Sequence, residues 1–380
     1  METAHVTSRT PAPILCAAAL LVLAPLAAHA QERTTVGGYG EAQYTNATGP
    51  NTPGQATLRR FVVYLAHGFN DQLAFRSELE VEDARVEPGG TAGELEVEQA
   101  FLDYRLKDWL TVRTGLMLAP IGILNETHEP TTYNGVQRPG FDTDVIPTTW
   151  RELGVGALGQ LSSAAGLSYR LYLLNGIKAE GFSAEQGIRE GRQEGQNASF
   201  ANPSITGRLE WARPGLKVGG SFWYGGSANG DPAIGTGTFS APVTLLCLDA
   251  RYDRGPASFR TELTNISVGD AAAINAAYGQ NVGSRIAGGY GEAAYNVLAL
   301  LAPASSQKLT AFLRYEQYDT HAAVPTGTVQ EGTLARRITT FGFTYKPVDN
   351  AVFKGDYQLL RNRARVGESE IFALGIGYQF

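Results

Sequence analysis

Apolar and polar residues alternate at a period of two in segment after segment of this chain, and that pattern suits strands with one greasy face. Phe61, Val63 and Leu65 interleave with Arg60, Val62 and Tyr64. Leu73, Phe75, Leu79 and Val81 interleave with Arg76, Glu78, Glu80 and Glu82. Leu110, Val112, Leu116 and Leu118 interleave with Thr111, Arg113 and Met117, and Leu167, Tyr169, Leu171 and Leu173 with Ser168, Arg170 and Tyr172. Further on, Ile205, Leu209 and Trp211 face Thr206, Arg208 and Glu210, Phe259 and Leu263 face Arg260 and Glu262, and Leu309, Ala311, Leu313 and Tyr315 face Phe312, Arg314 and Glu316. The alternation breaks near Gln99, where a bulge is the simplest account.

A soluble sandwich also alternates, so the connections must discriminate. About sixteen such strands are expected, an even number that puts both ends at one rim. Their connections alternate in length. Gly68 to Asp71, Lys107 to Trp109, Ser162 to Ala165, Arg213 to Gly215, Arg254 to Pro256 and Pro347 to Asn350 are short. Thr45 to Ala56, Ala119 to Trp150, Asn175 to Ala201, Gly225 to Ala241, Ile266 to Ser284 and Thr320 to Leu334 are longer. Short turns at one rim and long loops at the other are expected of an all-β transmembrane antiparallel β-barrel, with the turns in the periplasm and the loops outside. The apolar run Val297 to Pro303 fits poorly, because it falls where a short turn is needed.

The two ends of the chain agree with export to a membrane. Arg9, the apolar stretch Ile14 to Ala28 and the small-x-small Ala28-His29-Ala30 predict a signal peptide over residues 1–30, with cleavage before Gln31. The barrel would then occupy 31–380. Cys247 remains as a lone thiol, which excludes an intrachain disulfide. At the other end, Phe372, Leu374, Ile376, Tyr378 and Phe380 fall on one face, with an aromatic as the last residue. Free in water such a strand would aggregate; closing a barrel against lipid it has a place. It resembles the terminal signature that the barrel-assembly machinery recognises, so outer-membrane lipids and that machinery are the expected partners. Glycine (45) and tyrosine and phenylalanine (17 and 16) suit tight turns and aromatic girdles.

Three stretches carry a family resemblance. Ala100-Phe101-Leu102-Asp103-Tyr104-Arg105, then Val112-Arg113-Thr114-Gly115 with Ala119-Pro120-Ile121-Gly122, and Trp150-Arg151-Glu152-Leu153-Gly154-Val155 are similar to segments of the phosphate-selective porins O and P, around their third loop. The similarity extends more weakly from Thr344-Tyr345-Lys346-Pro347 to Phe380. It implies a sixteen-stranded homotrimeric porin of the bacterial outer membrane whose third external loop, here about 119–150, folds into the pore. The arginine ladder and lysine cluster that give the namesake its phosphate selection do not carry over.

The inward faces predict the pore lining. Arg60, Arg76, Arg113, Arg170, Arg208, Arg260 and Arg314 interleave with Glu78, Glu80, Glu82, Glu98, Glu210, Glu262 and Glu316, and the third loop brings Glu126, Glu129, Arg138, Asp142 and Asp144 to the constriction. Opposed charges across a constriction would orient polar solutes and tune ion preference. Glu78, Glu80 and Glu82 with Glu94, Glu96 and Glu98 would gather near the external mouth. There they act as a cation-attracting funnel, as a divalent-ion site, or as a solvated rim balanced by Arg76, Arg85 and Arg105. The net charge of −6 and the lack of a basic run argue against nucleic acid.

No catalytic or metal set is expected, and no cofactor. His67 is placed at the periplasmic end of a strand, and His128 and His321 in external loops. Glu126, His128 and Glu129 are read as solvated loop residues and not as ligands. Gly37, Gly38 and Gly40 are followed by no helix and are assigned to close packing of the first strand. Passive diffusion of ions or small polar solutes, with anions such as phosphate as one class, is the expected function. The alternative is a barrel plugged by its third loop that binds or adheres at the surface.

Overall fold

The computed structural model describes residues 33–48, 53–84, 93–161 and 165–380. The expected signal segment and Arg85 lie outside the described residues. Sixteen strands follow one another: β1 (Thr34–Ala47), β2 (Gln55–Gly68), β3 (Leu73–Glu82), β4 (Leu95–Lys107), β5 (Leu110–Leu118), β6 (Arg151–Leu161), β7 (Leu167–Leu174) and β8 (Ser204–Arg213) make the first half. The second half is β9 (Leu216–Gly225), β10 (Val243–Arg254), β11 (Ala257–Val268), β12 (Arg285–Asn296), β13 (Lys308–Ala323), β14 (Ala335–Val348), β15 (Ala351–Asn362) and β16 (Ser369–Gln379). Each pairs antiparallel with its neighbours in sequence, and β1 pairs with β16 from Tyr39 opposite Gln379 to Ala47 opposite Ile371, so the sheet closes. Closure leaves no edge, so the ladder continues round the sheet without water, which is what a sheet facing hydrocarbon requires. No helix among the described residues is long and apolar enough to cross a membrane.

The period-two pattern sorts the side chains as the strands close. Leu171, Leu173, Leu246, Leu248, Leu263, Phe341 and Phe372 point outward and are exposed, whereas Arg208, Glu262, Arg314 and Glu316 on the alternate face are buried. The bulge expected near Gln99 is present. Glu78 pairs with Gln99 and Leu79 with Val97, so Glu98 is the extra residue. It lets both Glu98 and Phe101 reach the inner face, although they are three positions apart, an odd number.

The rims segregate as expected, with corrections. Residues 69–72, 108–109, 214–215, 255–256 and 349–350 turn at the rim that carries both termini. Several strands run further than the pattern implied: β1 reaches Ala47, β2 starts at Gln55, β11 reaches Val268 and β13 reaches Ala323. His321 therefore lies in a strand, fully buried, and not in a loop. At the β13 end the extension packs on loops: Thr320 donates to the Ala184 carbonyl and His321 Nε2 lies 2.6 Å from the Asn281 carbonyl. The apolar run at 297–303 is a short helix, α3 (Leu298–Leu301), with Leu300 and Leu301 exposed.

Two further helices lie in the external loops, α1 (Gly140–Asp144) and α2 (Ala271–Tyr278). The interior holds an apolar core made largely by loops. Ile121, Leu124, Phe141, Ile146 and Trp150 of the third loop meet Ile177, Phe182 and Ile188 of the fourth, Ile274 of α2 and wall residues such as Trp223. Trp150 and Trp223 stack with ring centroids 4.2 Å apart. The fourth loop was expected to face outside. It turns inward because its arginines bind carbonyls of the third: Arg189 donates to Thr143 (2.9 Å) and Arg192 to Pro147 (3.3 Å).

Candidate pore constriction

The third loop is closed at its neck by one side chain. Ala119 N–H donates to the Trp150 carbonyl (2.9 Å). Asn125 donates to the carbonyls of Ala119 (2.7 Å) and Trp150 (3.0 Å) and accepts from Trp150 N–H (2.7 Å). The Pro120-Ile121-Gly122 step then turns into the lumen. Gly122 has φ +69°, and a Cβ there would collide with the Glu262 carboxylate, so glycine is required on both counts.

From there the loop is bonded to the wall along the arc of strands from β11 round to β1. Ile123 N–H donates to Glu262 on β11 (3.1 Å), Phe141 N–H to Glu316 on β13 (2.8 Å) and Val136 N–H to Asp356 on β15 (2.6 Å). Asn134 donates to Glu292 on β12 (2.8 Å), and Tyr133 OH to Glu41 on β1 (3.1 Å). Arg260 and Lys346 donate to the Thr132 and Thr131 carbonyls (2.7 Å each). Wall carboxylates thus serve as acceptors for loop amides, a use that no local sequence pattern announces.

Of the inward arginines, five meet carboxylates. Arg60 reaches Glu41 (3.3 Å), Glu80 (3.2 Å) and Glu82 (3.4 Å). Arg113 binds Asp103 through two bonds (2.8 and 2.9 Å), and Arg170 pairs with Glu126 (3.0 Å). Arg208 joins Asp249 (2.6 Å) and Glu210 (2.9 Å), and Arg314 joins Glu292 (3.3 Å) and Glu316 (3.1 Å). Arg76 has no ion pair among the described residues, and Arg260 is held by the loop carbonyl. The charges are therefore paired mostly with their wall neighbours, which differs from the expected opposition of charges across the lumen. Adjacent strands bring arginine and glutamate within reach, and Coulomb attraction is strongest at short range.

The glutamates of β3 and β4 do gather: Glu80 lies opposite Glu96, and Glu78 opposite Gln99 beside Glu98. Of the expected balancing cations, Arg85 lies outside the described residues and Arg76 has no ion pair among them. Arg105 donates to the Asp71 carbonyl at the other rim, while Arg59, Arg60 and Arg151 take the role, Arg151 reaching Glu96 at 2.6 Å.

The loop charges divide. Glu129 accepts from Tyr64 OH (3.4 Å), and Asp144 accepts from Tyr318 OH (2.7 Å) and pairs with Arg336. Asp142 is fully buried with neither oxygen hydrogen-bonded. Burial and the nearby Glu262 and Glu316 push its carboxyl well above the usual range. Arg138 donates to the His128 carbonyl (3.3 Å) and has no ion pair among the described residues. It lines an outer cavity of about 1380 Å³ together with Arg151, Arg189, Arg192, Arg336 and several acids.

His128 departs from its expected solvated state. It is 3% exposed, and its Nε2 lies 3.4 Å from Glu98 and 3.7 Å from Glu78. Glu126 and Glu129, the partners considered from the sequence, are engaged elsewhere. Burial alone would lower the imidazole, but Glu98 and Glu78 outweigh it and hold it up at about 10. The terminal signature sits on the outer face: Phe372, Leu374, Ile376 and Phe380 are exposed, and Tyr378 and Phe380 lie over Gly40 and Gly38.

The closed sixteen-stranded antiparallel barrel matches the fold of outer-membrane porins. The anion-selective porin from Comamonas acidovorans shares it with a TM-score of 0.58 at 12% identity, over 91% of this chain and 99% of that one. Salmonella typhi OmpF, solved with daunomycin, gives 0.61 at 13% over 91% and 97%, and the DcaP channel of Acinetobacter baumannii 0.59 at 10% over 91% and 97%. No family model matches the chain. An Aquifex aeolicus (strain VF5) protein described only as uncharacterized is 35% identical over 335 residues, 85% of this chain and 74% of that protein, and the chain belongs to one family with it.

Proposed function

We propose that the protein is an outer-membrane channel through which ions and small polar solutes diffuse passively past the third loop. The observation that carries this is a closed barrel whose inner face carries ionic side chains, with the third loop hydrogen-bonded inside it to the wall from β11 round to β1. Arg60, Arg76, Arg113, Arg170, Arg208, Arg260 and Arg314, with Glu78, Glu80, Glu210, Glu262 and Glu316, form the proposed lining. Because most of these charges are paired locally, selectivity should be weak. Arg138, without an ion pair among the described residues, is the loop residue best suited to favour anions, phosphate among them. The proposal includes export by the 1–30 signal, assembly through the terminal strand, a trimer, and kinship to the phosphate-selective porins; it assigns no catalysis.

Planar-bilayer recording tests it: discrete ohmic steps are expected, and folded protein that never conducts would refute it. A salt-gradient reversal potential reads the ion preference. The apolar core between loops and wall favours a second reading, a plugged barrel that binds at the surface. Deleting the loop separates the two, since a porin's conductance should merely grow while a plugged barrel should go from silent to conducting.

A further inference from the structure

Besides the lining role proposed for Glu78, a cluster of ligand-bearing side chains lies where the third loop meets β3 and β4. Glu78, Glu98 and His128 are all buried and each offers one ligand atom within 4.8 Å of the others. Glu98, carried inward by the bulge, is fully buried, and no protein donor reaches either of its carboxylate oxygens. Glu78 is anchored on one side only, by the Gln99 amide on Oε2 (2.7 Å), which leaves Oε1 free.

The imidazole is oriented by its other nitrogen. Nδ1 faces the Asn125 carbonyl at 3.1 Å, and a carbonyl only accepts, so Nδ1 carries a proton. Nε2 therefore presents either a lone pair or a second proton to the two carboxylates. Asn125 is the residue that closes the loop's neck, so the fold of the loop fixes the ring. A ligating histidine whose second nitrogen donates to a backbone carbonyl is the usual arrangement around a bound metal.

Distance separates the two fillings. A proton shared between an imidazolium and a carboxylate draws the heavy atoms to about 2.7–2.9 Å. Here the separations are 3.4 and 3.7 Å, and Nε2 makes no hydrogen bond. Ligands bound at about 2.0–2.2 Å around a tetrahedral ion lie roughly 3.3–3.6 Å from one another, which brackets the shorter gap and nearly reaches the longer. Calcium and magnesium take oxygen ligands, whereas one imidazole with carboxylates suits zinc.

We propose that Glu78, Glu98 and His128 bind a divalent transition-metal cation, zinc by donor type and spacing, and that it staples the third loop to the β3–β4 wall. This does not rest on the channel reading, because metal content is measured on protein that need not conduct. The full-length protein, folded in detergent, is loaded with zinc chloride, desalted and assayed by mass spectrometry. About one zinc per chain is expected, falling roughly tenfold or more in Glu98→Gln and in His128→Asn. His67→Asn should keep its zinc. With cobalt in its place, the visible absorption of a four-coordinate ion should appear and be lost in Glu98→Gln. Heat-modifiable migration verifies folding, and Glu78→Gln substitutes if Glu98→Gln does not fold. Wild-type protein without zinc, or Glu98→Gln with undiminished zinc, overturns the proposal and leaves a site that holds only a proton.

Discussion

Replacing Gly122 by alanine should unhook the leading segment of the third loop while leaving the barrel intact. The residue has φ +69°, and a side chain in the left-handed region costs about 1–2 kcal/mol. The new Cβ would also run into the Glu262 carboxylate, which accepts the Ile123 amide at 3.1 Å. Pushing that carboxylate aside forfeits a hydrogen bond to a charged group, about 1.5–3 kcal/mol. The sum, about 2.5–5 kcal/mol, corresponds to roughly two to three and a half powers of ten in the opening equilibrium of this segment. The remaining anchors, from Tyr133 to Phe141, hold the rest of the loop, so the change stays local. Hydrogen exchange in detergent reads it directly: amides of 119–124 should exchange faster in the variant, while those of the strands keep wild-type protection. Unchanged exchange in 119–124, in a variant that folds, would show that Gly122 is not demanded by the docking of the loop.

Other outcomes follow from the same contacts. Arg208 is buried between Asp249 and Glu210, so Arg208→Met should lower the melting temperature of the folded barrel by an amount matching about 3–5 kcal/mol, with Arg208→Met/Asp249→Leu recovering most of it in thermal unfolding followed by gel migration. Arg138→Glu should move the reversal potential in a potassium chloride gradient toward cation preference, and an unmoved potential would remove Arg138 from the ion path. Burial raises the Asp142 carboxyl, so its folded value lies above its unfolded one. The docking free energy it permits is then complete below about pH 4 and declines as pH rises through the folded value. Asp142→Asn should therefore stabilise the loop near neutral pH and change nothing at the acid end, as read by melting temperature against pH. Truncating Phe380, whose ring covers Gly38, should cut the yield of folded barrel recovered from membranes, with the unfolded form accumulating instead.

Much of the wall was legible before any coordinates. Alternation of side chains depends only on neighbours along one strand, so Phe61 outward and Arg60 inward follow from a pattern two residues long. Even the bulge at Glu98 announced itself as a broken period. Counting the alternating segments led to about sixteen strands, and the segregation of short and long connections put the first and last strand ends at one rim. At Val297 to Pro303 the apolar run was visible, but its helical form was not, since so short a stretch fits a strand or a helical turn equally well.

The interior was decided elsewhere. Glu262 accepts an amide from Ile123, Arg260 holds the Thr132 carbonyl, and His128 faces Glu98, in each case across a lumen whose width exists only after β16 meets β1. The chain by itself determined which face each side chain takes, because that is a property of the extended backbone. Only the closed tertiary structure decided which charges touch and where two loops pack to make a core, because those contacts join residues far apart in sequence, and Coulomb and dispersion forces act on distance in space, whatever the separation along the chain.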